Sequence, residues 1–265
     1  MADTLLFRVE NGVGWIVLNR PEARNAMNAE MRQAYLDALA RCAEDAEIRA
    51  VVLTGTGKGF CTGADLSGSR AASGAPAAPG PGDTRTAMFP SQRVIRTLWE
   101  LEKPTLAAVN GVAAGLGAHL AHACDLVLAA ADARFIEVFV RRGIAVDAGG
   151  SFLLPRHVGL HKAKELVFFG DDLPAAEAER LGLVNKVVAA AELEATAREW
   201  AERLARGPTF ALGLSKRLLN RSLQADLDTL FAEEAFTQAL VAQSEDMREG
   251  IRSFMEKRPP AFKGR

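Results

Sequence analysis

Residues 110–125 read NGVAAGLGAHLAHACD. Gly111, Gly115 and Gly117 break a run of small apolar residues, and the only polar side chains between Asn110 and Asp125 are His119, His122 and Cys124. Glycine at this density gives up side chains so that backbones can approach one another. TLAAVN precedes the stretch and CDLVLAA closes it, and both read as short buried strands. A strand, a glycine turn, a helix and a second strand in that order predict layered α/β structure with parallel crossovers. The start of such a helix presents backbone N–H groups that lack intrahelical acceptors, at the positive end of the helix dipole. An imidazole inside this small-residue helix then needs a reason.

A second stretch of the same kind, GKGFCTGADL over residues 57–66, follows the strand AVVLTG. It too predicts a strand running into glycines and then a helix. Backbone donors from two such turns can converge on one oxygen and stabilise an oxyanion. Close packing of helix on strand is the plainer reading of either turn alone. Neither turn carries the dinucleotide fingerprint in its proper context or the lysine of a P-loop, so a nucleotide-phosphate site is not indicated.

Outward from these turns the order stays mixed. LLFRVE and GWIVLNR are strands joined by the turn signal Asn11-Gly12. IRAVVLTG is a third strand. Residues 28–43 have helical periodicity, with Asn28 as N-cap and Met31, Tyr35 and Leu39 on one face. Residues 67–83, SGSRAASGAPAAPGPGD, cannot build a core and predict a mobile loop. From about Leu193 the pattern is helical to the end, in LEATAREWAERLAR, TFALGLSKRLLNRS, DLDTLFAEEAFTQALVAQ and EDMREGIRSFMEKR. Their apolar faces call for cover from the core, from a neighbouring subunit, or from both. No internal repeat is evident.

Composition narrows the class. The chain has 265 residues, 49% hydrophobic and 25% charged, with a formal net charge of −1. That is a globular composition without an electrostatic footprint for nucleic acid or an anionic membrane surface. Cys42, Cys61 and Cys124 lack metal spacing and read as reduced thiols, which predicts a cytoplasmic protein. The first residues lack the basic-then-apolar pattern of a secretory signal, and no apolar run reaches membrane-spanning length.

Several long segments together resemble the crotonase superfamily, the enoyl-CoA hydratase/isomerase fold. They are LNRPEARNAMN, VVLTGTGKGFCTGADL, KPTLAAVNGVAAGLGAHLAHACDLVLAAADARF, GGSFLLPRHVG, AERLGLVNKVV and FMEKRPPAF, in order over nearly the whole chain. The resemblance implies an α/β spiral of ββα units over residues 1–195 and a helical trimerisation region over residues 196–265. It implies a homotrimer or dimer of trimers acting on an acyl-CoA thioester. The thioester oxygen would be held by two backbone N–H groups, here Ala64 and Leu116. No metal is implied, and no cofactor beyond the CoA of the substrate. CoA contacts carry over to Arg24 and Ala26 in RNAMN, to Thr62, Ala64 and Asp65 in CTGAD, and to Phe254 and Lys257, which would reach a neighbour's CoA. Lys257 reads equally as a solvated charge at a helix end.

The family's hydratases use two glutamates. The first follows the second oxyanion donor within one helical turn, which falls here on His119. Ungapped alignment puts Phe139, an acyl-pocket position, at the second. Glu137 lies two residues from that place and receives no role. Asp147, in RRGIAVDAGGSFLLPR, stands where dienoyl-CoA isomerases and ring 1,2-epoxyphenylacetyl-CoA isomerases are similar in carrying an aspartate. The latter also resemble this chain in GVAAGLGA, PTFALGLSK and EGIRSFMEKRPPAFKG. One carboxylate facing an oxyanion hole can remove a proton and return it elsewhere, which is isomerisation. Asp147 reads alternatively as the N-cap of the following helix. His119 reads as a second acid/base group, as a neutral polar filler, or as a core histidine. Three functions stay open: an isomerase using Asp147, a hydratase or related lyase or hydrolase built on His119 and Asp147, and a non-catalytic acyl-CoA-binding protein.

Overall fold

The structure is a computed structural model that describes residues 3–67 and 80–265. Its elements in chain order begin β1 (Leu5–Glu10), β2 (Val13–Leu18), α1 (Ala29–Glu44), β3 (Ala50–Gly55) and β4 (Gly59–Cys61). Then come α2 (Pro81–Ala87), α3 (Phe89–Trp99), β5 (Thr105–Val109), β6 (Val112–Ala114), α4 (Leu116–Ala123), β7 (Leu126–Ala130) and β8 (Arg134–Ile136). The remainder is α5 (Gly150–Val158), α6 (Leu160–Phe169), β9 (Asp172–Pro174), α7 (Ala175–Arg180), β10 (Lys186–Val188), α8 (Leu193–Ala205), α9 (Thr209–Ser222), α10 (Leu227–Val241) and α11 (Glu245–Met255).

Local chemistry accounts for the first elements. Asn11 and Gly12 both take positive φ, 51° and 76°, as a two-residue hairpin between β1 and β2 demands. Asn28 caps α1 by accepting from the Met31 N–H at 2.8 Å. Met31, Tyr35 and Leu39, one helical turn apart, are buried on the main sheet.

Two sheets organise the chain. The larger runs β1-β2-β3-β5-β7-β10, parallel from β2 onward. The smaller runs β4-β6-β8-β9, with β4, β6 and β8 parallel and β9 antiparallel. Each of β3, β5 and β7 gives a strand to the larger sheet and passes directly to β4, β6 or β8 in the smaller one. This is the spiral of strand pairs that the resemblance implied. It is a repeat of backbone path without a repeat of sequence, which is why no periodicity announced it.

GKGFCTGADL passes beside Met27 through a single parallel bridge at Ala64, and the helix expected after it falls on residues 68–79, outside the described residues. One expectation changes. The expected loop over residues 67–83 is shorter at its end, because Pro81–Ala87 forms α2; its residues 68–79 lie outside the described residues.

α8 lays Ala197, Ala201 and Ala205 against β2, β3, β5 and β7. α10 has no buried residue, and Phe231, Phe236 and Leu240 on it are exposed. No helix among the described residues is long and apolar enough to cross a membrane.

Candidate active site

Glycine brings the two turns together. β6 ends at Ala114, and Gly115 turns the chain into α4 with φ +52°. A side chain there would press on Val138 at 3.2 Å. Gly117, one step further, seats α4 on β4: a Cβ on it would fall 2.0 Å from the Cys61 carbonyl oxygen. Leu116 is the first residue of α4, so its N–H has no acceptor one turn back.

Ala64 reaches the same place by another route. The Met27 N–H donates to Gly63 O at 2.8 Å, and the Asp65 N–H donates to Met27 O at 3.0 Å. A parallel bridge of this pattern turns Ala64's own N–H and C=O away from Met27. Gly63 has φ +99°, and a Cβ on it would lie 3.0 Å from Ala114 O and 3.8 Å from Leu116 N. The strand through Ala64 and the start of α4 therefore pass with no side chain between them.

His119 lies one turn inside α4 and is fully buried. Its ring stacks on Phe139 with centroids 5.4 Å apart and planes 14° apart. Its Nε2 is 3.0 Å from Oε2 of Glu137, which is also buried. Its Nδ1 is buried without a partner among the described residues. The backbone of Gly150 closes another side, since a Cβ there would fall 2.2 Å from Nε2.

Glu137 is the residue the sequence reading missed. It follows β8 directly, where Gly115 N–H donates to Ile136 O at 2.9 Å, so the start of α4 and the end of β8 run side by side. Phe139, placed at the second-glutamate position by ungapped alignment, contacts His119 through its ring. The carboxylate comes from two residues earlier. A signal was present: Glu137 is the one carboxylate in the apolar run FIEVFV, and a charge so placed calls for a buried partner.

Asp147 is half-buried in the turn before α5. It is not the N-cap. Gly149, at φ +82°, holds that position, no side chain caps the helix, and Asp147 offers only its carbonyl to the Gly150 N–H at 2.9 Å. Ala148 between them sits at φ +44°, a conformation that costs a non-glycine residue on the order of 1–2 kcal/mol. Such strain clusters at functional turns. Burial pushes the Asp147 carboxyl above its ordinary value; His119 opposes that shift and the Glu137 charge adds to it. The three side chains thus share one electrostatic neighbourhood.

The loops assigned to CoA are tied to each other. Arg24 and Asn25 take positive φ, 49° and 58°, and the Asn25 amide donates to Thr56 O and Gly59 O at 2.9 and 2.7 Å. Arg24 O accepts from the Thr62 N–H at 3.2 Å, and Ala26 O accepts from Arg20 Nη1 at 2.6 Å. Asp65 accepts from the Ser67 N–H at 2.9 Å and pairs with Arg20 Nη1 at 2.8 Å. Those bonds, Ser67 first and then Arg20, hold its carboxyl down at about 2. Phe254 is 81% exposed and Lys257 is exposed beyond α11, so within one chain neither joins the site.

Among the described residues no three His, Cys, Asp or Glu side chains are grouped to hold a metal ion. A cavity of about 590 Å³ lies elsewhere, between α1, α3 and α9, and touches none of these residues. The chemistry available at the site is a pair of outward backbone donors for an oxyanion, a carboxyl biased toward its protonated form, and an imidazole with one nitrogen unpaired.

The family model described as enoyl-CoA hydratase/isomerase matches residues 8–265. The 1,2-epoxyphenylacetyl-CoA isomerase of Escherichia coli K12 is 40% identical over 265 residues, covering 100% of both chains. The short-chain-enoyl-CoA hydratase of Clostridium acetobutylicum is 37% identical over 265 residues, covering 99% of each. The crystal structure of an enoyl-CoA hydratase/isomerase from Cupriavidus metallidurans CH34 superposes with a TM-score of 0.92 at 41% identity, covering 99% of this chain and 97% of that one. An enoyl-CoA hydratase structure from Bacillus anthracis gives 0.91 at 34% identity, with 99% and 100% covered. The chain belongs to the enoyl-CoA hydratase/isomerase family.

Proposed function

We propose that the protein is an acyl-CoA isomerase that works through a thioester enolate, with Asp147 as the acid/base. The N–H groups of Ala64 and Leu116 hold the thioester oxygen as negative charge develops on it. Asp147 takes a proton from the acyl chain and returns it at another carbon, so nothing is added. The observation that carries the reading is Asp147 itself: a half-buried carboxyl, raised by burial and not spent on capping α5. A carboxyl raised above its ordinary value is a stronger base than a free one. The 40% identical Escherichia coli isomerase supports it.

The CoA moiety runs along Arg24, Ala26, Thr62 and Asp65, on loops that the Arg20–Asp65 pair already clamps. Phe254 and Lys257 act on the CoA of a neighbouring subunit in a trimer or dimer of trimers. No cofactor beyond that CoA enters the proposal.

One observation favours a second reading. The His119–Glu137 pair adds an imidazole and a second carboxylate near Asp147, and two acid/base groups are what addition of water to an enoyl thioester uses. The family relatives include hydratases. A mass-spectrometric panel of CoA thioesters in heavy water separates the two. Isomerisation gives deuterium exchange at carbon without net addition; hydration adds the mass of heavy water.

A further inference from the structure

Glu137 has no part in the isomerisation proposed above, yet it is buried against His119. Burying a carboxylate in apolar surroundings is costly unless it is hydrogen-bonded, and such pairs seldom improve stability over apolar residues. The geometry of the pair has a specific consequence. A carboxylate only accepts, so with Glu137 ionised and the ring neutral, Oε2 at 3.0 Å from Nε2 places the ring proton on Nε2. Nδ1 then carries a lone pair. It is sealed from solvent and meets no donor among the described residues, which leaves an acceptor waiting for one.

The ring cannot relieve this by moving away. Phe139 stacks on it and the Gly150 backbone stands against its Nε2 edge. What remains is the choice of which nitrogen bears the proton, and Glu137 makes it. We propose that Glu137 is a positioning residue that locks His119 as the Nε2–H tautomer, so that Nδ1 is the nitrogen left with a lone pair beside the reacting site. The logic is that of a carboxylate orienting a histidine in a hydrolase triad. Glu137 touches no substrate and acts through His119 alone. This rests on the reading of Asp147 as the acid/base of the site.

The test has two readouts. The first is the ¹⁵N spectrum of the full chain labelled at its four histidines, with His119 assigned by the signal lost in His119→Gln. The expected result is a protonated, hydrogen-bonded Nε2 in the wild type, retained in Glu137→Asp and lost or mixed in Glu137→Gln. A proton on Nδ1 in the wild type overturns the proposal, and that spectrum needs no Glu137 variant to fold. The second is deuterium exchange into the thioester. Glu137→Gln should lower kcat at least tenfold with KM nearly unchanged, and should add nothing in a His119→Gln background. Equal fractional losses in both backgrounds overturn it. Failure of Asp147 as the base appears separately, as wild-type turnover in Asp147→Asn, and leaves the tautomer result standing.

Discussion

His119 and Glu137 meet 3.0 Å apart, both buried, and come from the first turn of α4 and the residue after β8. Each depends on the other, because a buried group whose partner is removed keeps its desolvation cost and loses its bond. His119→Ala should therefore destabilise the fold by about 3–5 kcal/mol, the range for breaking a buried pair. Replacing both residues together with apolar side chains of matching volume should cost less than His119→Ala alone. Denaturant unfolding of the variants under identical protein concentration checks this.

Asp147 should trade stability for function. Its carboxyl is raised above the ordinary 3.8 in the folded protein, mainly by burial. The folded state then holds the proton more tightly than the unfolded one, so this group's contribution falls as pH rises above 3.8 toward its folded value. Asp147→Asn removes the buried charge. Its thermal midpoint should exceed the wild type's at neutral pH, and the gain should vanish once pH drops below the unfolded value. A midpoint difference independent of pH would contradict the assignment of burial as the cause.

Asp65 works in the opposite sense. Held down at about 2 by Ser67 and Arg20, it stabilises the folded state above its unfolded value and loses that contribution as pH falls toward about 2. Asp65→Ala should free the 62–67 segment from Arg20 and weaken acyl-CoA binding, with little change in the turnover of saturated enzyme. Titration calorimetry together with a KM-against-kcat comparison measures both.

Gly117→Ala should damage site and fold alike. The added methyl would sit 2.0 Å from the Cys61 carbonyl oxygen, which is backbone and cannot swing aside. α4 must lift off β4, carrying Leu116 with it. Overpacking of this kind costs typically about 1–3 kcal/mol, and activity should fall further than stability explains.

The exposed apolar side chains of α10 predict assembly. Phe231, Phe236 and Leu240 are 57%, 75% and 54% exposed on a helix with no buried residue. The wild type should run as a trimer or hexamer in light scattering, and Phe236→Glu should shift it toward monomer. A stable wild-type monomer at micromolar concentration would refute the expectation.

Much of this was readable from residue chemistry. The Asn11-Gly12 turn, the Asn28 cap and the helices from Leu193 onward rest on local rules that tertiary contacts did not override. Strands β4, β6, β8 and β9 have three residues each, too short for periodicity to register. Glycine licenses close approach without saying to what, so the bridge beside Met27 that Gly63 serves was not legible in the first glycine turn. Asp147 could be found by position, but its freedom from capping depends on Gly149 taking the left-handed conformation. Glu137 was passed over because alignment by residue count follows the chain, whereas its partner is set by the pairing of β6 with β8.

The central claim is that Asp147 moves the proton while backbone donors hold the enolate. Deuterium exchange into a thioester that the wild type turns over, measured beside acyl-CoA affinity in Asp147→Asn, tests it most directly. Asparagine keeps the shape and cannot take a proton, so exchange should fall on the order of a hundredfold to ten-thousandfold while affinity changes little. Wild-type exchange in Asp147→Asn, with exchange abolished instead in His119→Ala, would contradict the claim and assign the acid/base role to His119.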